Sequence, residues 1–381
     1  MSLYEISPSM SLDNINAALK KYRMIEFLSG VFNIKKPLYL YPNTFILMRP
    51  DTILKRAADI PVFTSYITSS TTKYDGIYNV TIEGGVIDGA VKNAGFGNMV
   101  QFMHAKDITI RDVTFKDISG SHAIEFNSTK HGKILRCKFR GYIPDPNGYY
   151  REVIQIDFAN YATLSIISSK KAACYDDTHC EDILIEDCIF EESENNPAPI
   201  NAIGAHAQTA SSNKHKNIRI INNVAKGRGV YKDYGIFVSL INVKDALIEG
   251  NHVSQYVRFA RVAVPNKFYK TDGSTVSTPG SKIGSENVIF RKNMCVDPYD
   301  HFKAVGIYVY SKIDEVRHKN IIIEDEFYSV PESNKTGKNI LSINNTDIAK
   351  IVDNTLITKF SKPVYVASNC TKVIDRNNDI F

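Results

Sequence analysis

The sequence predicts an all-β chain, folded as a single-stranded right-handed parallel β-helix of about ten coils behind an N-terminal capping helix. Three observations carry this. First, a short segment, NVTIEGGVID (79–88), returns as DITIRDVTF (107–115), KILRCKF (133–139), DILIEDCIF (182–190), NIRIINNVA (217–225), ALIEGNHV (246–253), NVIFRKNMC (287–295), NIIIEDEFY (320–328) and IAKIVDNTL (348–356), with a looser copy, TKVIDRNND, at 371–379. Second, the copies align on an apolar column of Ile82, Ile110, Ile134, Ile185, Ile220, Ile248, Phe290, Ile323, Ile351 and Ile374, whose tightest spacings are about 28 residues. Third, apolar and polar residues alternate within each copy, as at Ile108 and Ile110 or Ile183 and Ile185, which marks a strand with one buried face. A unit this short cannot bury its own apolar face, so each must lie on the next.

Three positions after the apolar column stands a second one: Gly85, Val113, Cys137, Cys188, Asn223, Asn251, Asn293, Glu326, Asn354 and Asn377. Asn tolerates the left-handed backbone of a tight bend, and stacked amides can bond along the coil axis, so a partial Asn ladder is expected at a corner. Residues 11–22, SLDNINAALKKY, put Ile15, Ala18, Leu19 and Tyr22 on one helical face behind Ser11 or Asp13 as N-cap. This helix would cover the open end of the coil, whose bare strand edges otherwise invite association. Short strands follow in IEFLSGVFNI, KPLYLYPNTFILM and DTILKRA, broken at Gly30, Pro42 and Pro50. The chain thus reads as a cap (1–30) and one coil domain (31–381), long enough at 381 residues and 43% hydrophobic content to fill a large core.

A second strand family precedes the copies: MVQFMH (99–104), HAIEFN (122–127), VIQIDF (153–158), PINAIGAH (199–206), YGIFVSL (234–240), ARVAV (260–264), VGIYVYS (305–311), NILSIN (339–344) and PVYVAS (363–368). With Phe102, Phe126, Ile156 and Val238 inward, the outward and exposed row holds Gln101, Glu125, Asn127, Gln155, Asp157, Phe237, Ser239, Arg261, Tyr308 and Tyr310. Insertions at 143–151, 158–180, 207–216 and 265–284 would wall this face into a groove.

Glu125 and Asp157 are the paired carboxylates of that face. On adjacent coils, offset by two residues, they would stand roughly 8 Å apart, a separation that suits inverting glycoside hydrolysis by one acid and one water-activating base. Glu152 is a third carboxylate. His104, His122 and His206 fall at strand ends, where a His could assist proton transfer or hold a sugar hydroxyl. Tyr149, Tyr150, Tyr308 and Tyr310 could stack on sugar rings, with Gln101, Asn127 and Gln155 as amide contacts. Arg228, Arg258 and Arg261 could meet carboxylate or phosphate groups. Asp176, Asp177 and His179 read as solvated turn residues, and no metal site or cofactor is expected.

A formal net charge of +5 without a Lys/Arg-rich block does not argue for nucleic acid. Six cysteines (137, 174, 180, 188, 295 and 370) form no CxxC pair; Cys137 and Cys188 read as packed thiols, and Cys174 with Cys180 could staple a loop. Neither a basic-then-apolar leader nor a membrane-length apolar run is visible; with an extracellular or virion-borne location expected, either the sequence is that of the mature chain or it leaves the cell by another route, such as a virion.

The opening helix, the Gly30 hairpin, and the first-coil glycines Gly84 and Gly85 with Ile87, Asp88 and Gly89 resemble the pectate-lyase superfamily, including phage tail-spike β-helices and polygalacturonase-like proteins. That resemblance implies the fold over nearly the whole chain and a polysaccharide depolymerase, as a monomer or homotrimer. Of a polygalacturonase's full set (NTD, paired DD, GHG and RIK), neither GHG nor RIK occurs; Asp157 and His206 are loose counterparts of its acid and histidine. No calcium-binding carboxylate set with an Arg base, as in pectate lyases, is apparent. The expected function is a glycoside hydrolase acting through Glu125 and Asp157. The alternatives are a non-catalytic glycan- or receptor-binding module and a polysaccharide lyase or uronate epimerase.

Overall fold

The computed structural model describes residues 3–68, 70–89, 97–119, 121–144, 151–161, 163, 174–205, 207–227, 235–301, 303–334, 336 and 338–381. The strands of the coil wind as a right-handed parallel β-helix, the inner ones hydrogen-bonded to the strand one coil before and the strand one coil after. The apolar column stacks level: Ile82 on Ile110, Ile110 on Ile134, then Ile185, Ile220, Ile248, Phe290, Ile323 and Ile351 in turn. Ile46 and Ile25 extend it toward the N-terminus, beyond the copies legible in sequence. The last copy departs from the sequence alignment. Ile351 is level with Asp375, and Ile374 with Lys350, so Ile374 lies one residue outside the column. A rung covered on one side only gains little from burial, and with Val373 and Asp375 exposed, burial does not enforce its register.

The second column separates into two neighbouring positions. The left-handed bend belongs to the residue before it: Asp112, Arg136, Asp187, Asn222, Lys292, Asp325, Asp353 and Asn377 all have φ between 50° and 58°. At Gly84 (φ 78°) a side chain would also strike the Met48 carbonyl, 2.4 Å from the Cβ position. The ladder proper is Asn223, Asn251, Asn293, Glu326, Asn354 and Asn378, not Asn377. Each Asn Oδ1 accepts from the rung before it: Asn251 from Asn223 N and Nδ2 at 3.0 and 2.9 Å, and Asn293 from Asn251 N and Nδ2 at 2.9 Å each. Glu326 continues it, its Oε1 accepting from Asn293 N and Nδ2 at 3.0 and 2.7 Å, while its Oε2 accepts from the Tyr328 hydroxyl at 2.7 Å.

After the ladder corner, a third strand row stacks Phe115 on Phe139 and Phe139 on Phe190, with ring centroids 5.2 and 4.8 Å apart. Phe102, Phe126, Ile156 and Val238 line the core from the second row, as expected. Phe237 does not face outward. It sits at the corner leading into that row, where consecutive residues both point inside, and stacks on Phe259 at 5.8 Å. The cap is the helix Leu12–Lys21, N-capped by Ser11, burying Ile15, Ala18 and Leu19. Pro50 lies within the strand Phe45–Arg56 instead of ending it, at the bend where pairing passes from Met24–Phe27 to Gly30–Ile34. Cys174 and Cys180 are free thiols, bonded to separate carbonyls (Thr68 for Cys174, Phe126 and Asp157 for Cys180), and so form no staple.

Two stability measurements follow. Asn251→Ala removes the acceptor of two buried donors on Asn223, and should cost about 2–5 kcal/mol in equilibrium denaturation; a cost under 1 kcal/mol would show that the ladder does not hold the corner. Burial pushes the Glu326 carboxyl up from 4.5 to about 8. The folded chain therefore binds a proton that the unfolded chain has released, and stability falls as pH rises from 4.5 through 8, by up to about 1.4 kcal/mol per pH unit. Glu326→Gln should remove that slope and gain on the wild type at pH 9; parallel pH profiles for the two proteins would contradict it.

Candidate functional site

The second strand row positions the candidate carboxylates. In the paired strands Val100–Arg111, Ile124–Leu135 and Glu152–Asp157, Glu125 is level with Gln101 and Gln155, and Asp157 with Asn127. The two acids thus share one outer face, one strand apart and two residues along, about 8 Å between backbones. They are not exposed, and here the sequence reading is corrected: Glu125, Asn127 and Asp157 are fully covered, and Gln101 and Gln155 are 1% exposed. Flanking segments lie against the face. Asn98 Nδ2 and Gln101 Nε2 both donate to Glu125 Oε2, and Gln155 Nε2 donates to Asp157 Oδ2 at 2.5 Å. Gln101 and Gln155, read as sugar contacts, are therefore ligands of the acids themselves, whereas neither polar atom of the buried Asn127 side chain has a hydrogen-bond partner among the described residues.

His122 and Glu152 stand side by side at the leading corner of the row, both buried. The His122 ring meets the Glu152 carbonyl through Nδ1, and since a carbonyl only accepts, the proton sits on Nδ1. His122 N also donates to Asn98 Oδ1 at 3.1 Å, tying this corner to the segment that covers Glu125. His104 is buried, at φ 51°, with its ring nitrogens 2.6 Å from the Lys73 and Cys174 carbonyls, an architectural tie and not a site group. His206, Tyr149, Tyr150 and Arg228 lie outside the described residues.

Three insertions are knotted into one wall through Asp177, which is buried and not the solvated turn residue expected. Its Oδ1 accepts from Asn160 Nδ2 at 2.7 Å, its Oδ2 from the Thr271 hydroxyl at 3.3 Å, and its carbonyl from Asn213 Nδ2 at 2.9 Å. The 265–284 insertion contributes a hairpin, Phe268–Tyr269 with Thr275–Val276, whose Tyr269 exchanges backbone bonds with Gln208 and Ala210. The polygalacturonase fragments that do occur in the chain are spread apart: Asp176-Asp177 belongs to this wall, whereas Asp347 of Asn345-Thr346-Asp347 pairs with Arg317 at 2.5 Å several coils away. Among the described residues no group of three His, Cys, Asp or Glu is placed to hold a metal ion.

Toward the C-terminus the outward column opens. It continues from Gln155 through Gly204, Ser239, Arg261, Tyr308, Ser342 and Tyr365, level on successive strands. Arg261 donates from Nε to the Ser239 hydroxyl at 2.8 Å, and Tyr308 stacks on Tyr310 at 4.5 Å. Arg258 was expected to reach for an anion. It is instead buried, donating to the Ala304 carbonyl at 2.7 Å beneath the Tyr308 ring. Beside Tyr308 lies an open cleft of about 580 Å³, which Lys303, Lys338, Phe360, Lys362 and Tyr365 help to line. The sequence reading missed this cleft, although Tyr365 occupies the outward position of PVYVAS and the three lysines stand where their strands begin.

No protein-family model matches the chain. Over 256 residues, 61% of its length, it is 24% identical to plasmin and fibronectin-binding protein A of Streptococcus pneumoniae (strain ATCC BAA-255 / R6), of which the match spans 35%. Among solved structures, PfbA, a surface adhesin of S. pneumoniae, superposes with a TM-score of 0.72 at 17% identity, covering 97% of this chain and 85% of that one. The Family 28 exopolygalacturonase of Yersinia enterocolitica gives 0.59 at 10% identity, covering 100% and 78%. The tailspike of E. coli bacteriophage HK620, bound to a pentasaccharide, gives 0.64 at 12%, covering 98% and 63%. What this chain has in common with all of them is the fold, a right-handed parallel β-helix.

Proposed function

We propose that this chain is an extracellular or surface glycan-binding β-helix, holding a polysaccharide along the outer face of its second strand row. The observation that carries this reading is the contrast within one column: closed over Gln101, Glu125 and Gln155, and open over Arg261, Tyr308 and Tyr365. Tyrosine faces beside amide and hydroxyl donors suit a sugar, whose ring offers apolar C–H faces and a rim of hydroxyls. The surface-adhesin and saccharide-bound tailspike neighbours support a binding role and a location outside the cell.

A second reading, a glycoside hydrolase, is favoured by one specific observation. Glu125 and Asp157 stand diagonally on one face at a spacing within the range of inverting enzymes. In that reading one carboxyl protonates the leaving oxygen and the other activates water, and the segment around Asn98 must swing away to admit substrate.

Screening against a panel of bacterial and plant glycans, followed by titration, tests the binding role. Tyr308→Ala or Tyr365→Ala should weaken the best ligand about tenfold, and full affinity in both variants would move the site elsewhere. A reducing-end assay on the same ligand decides the second reading. If the chain is a hydrolase, new ends appear and Glu125→Gln or Asp157→Asn lowers their rate about 10²- to 10⁴-fold with folding intact. Bound glycan with no new ends removes it, and ultraviolet absorbance of an unsaturated uronate would indicate a lyase instead.

A further inference from the structure

The cleft beside Tyr308 is unusual for its charge. It is lined by three lysines, with Asn339 and Ser342 as polar neighbours, and among the described residues no Asp or Glu lines it. Two arginines stand behind it. Arg258 lies under the Tyr308 ring at 5.3 Å, with Lys303 at 6.0 Å from the same ring, and Arg261 is one strand away, level with Tyr308. Lys362 stands 4.8 Å from the Tyr365 ring centroid. Burial, and then the neighbouring Arg261, bring Arg258 down to about 10, and burial with Arg258, Lys312 and Arg261 lowers Lys303. A fold that gathers lysines around an open, aromatic-walled space, with no Asp or Glu among its described lining residues, gains when an anion enters.

Resting on the glycan-binding reading, we propose that this cleft is an acidic-sugar subsite, taking a saccharide unit that bears a carboxylate or sulfate. Tyr308 and Tyr365 flank the ring, while Lys303, Lys338 and Lys362 meet the anion. Position on the coil favours the same assignment. Four strand steps separate Asp157 from Tyr308 and six separate it from Tyr365, about 19 and 29 Å along the axis. The charged unit is thereby held well beyond a Debye length from the acidic end of the column at physiological salt. A polymer lying along the face would have its acidic units selected at the C-terminal end.

The test uses the full chain and three probes of equal length: an alginate hexamer, its carboxyl-reduced neutral counterpart, and a sulfated neutral hexamer. Calorimetric titration should give at least tenfold tighter binding of an anionic probe than of the neutral one, an advantage that shrinks as salt is raised. Lys338→Gln combined with Lys362→Gln, both exposed positions outside the core, should cost about 3- to 10-fold for the anionic probe and leave the neutral one unchanged. Preference for the alginate or the sulfated hexamer assigns the anion as carboxylate or sulfate. Equal affinity for charged and neutral probes, or an unaltered anionic titration in the double variant, overturns the acidic subsite while leaving glycan binding intact. Failure of every probe and of the wider glycan panel overturns both.

Discussion

Every rung of this molecule depends on level stacking between parallel strands. Side chains on a strand alternate with a period of two, so a slip of one residue would carry an entire apolar row out of the core. The Ile82 to Ile351 column meets that constraint on each coil without exception, whatever the length of the insertion between copies. Where burial no longer enforces it, at the last rung, the register shifts, and exposed Asp375 instead of Ile374 comes level with Ile351.

The same stacking makes polar groups additive along the axis. An amide at one corner finds its partner one coil on, so Asn223, Asn251 and Asn293 satisfy each other and the backbone within the core. Glu326 fits the ladder because a protonated carboxyl has nearly the shape of an amide, and the cost of this substitution appears as pH dependence. In the wall, Asp177 plays the corresponding part for chain segments that have no coil of their own, drawing three insertions together through its buried carboxylate and its backbone carbonyl.

The coil was legible because it repeats: periodicity alone places the Ile column as far as Ile351, Phe102 and Phe126 in the core, and the relation of Glu125 to Asp157, though it put Phe237 outside. What periodicity cannot carry is cover. Nothing in HAIEFN or VIQIDF says that Asn98 lies across them, and so residues read as an exposed row are buried. The wall was equally hidden, since Asn160, Asp177, Asn213 and Thr271 share no pattern. The Asn column was visible, but sequence merged bend and ladder, which occupy consecutive residues.

Function turns on which part of one column meets solvent. The N-terminal acids are enclosed by their own neighbours, and the C-terminal tyrosines and cations are open. The most direct test is a structure of the chain with a bound oligosaccharide. The account predicts sugar density against Tyr308 and Tyr365 on the second strand row. Density on the first or third row, or confined to the Glu125 end, would contradict it.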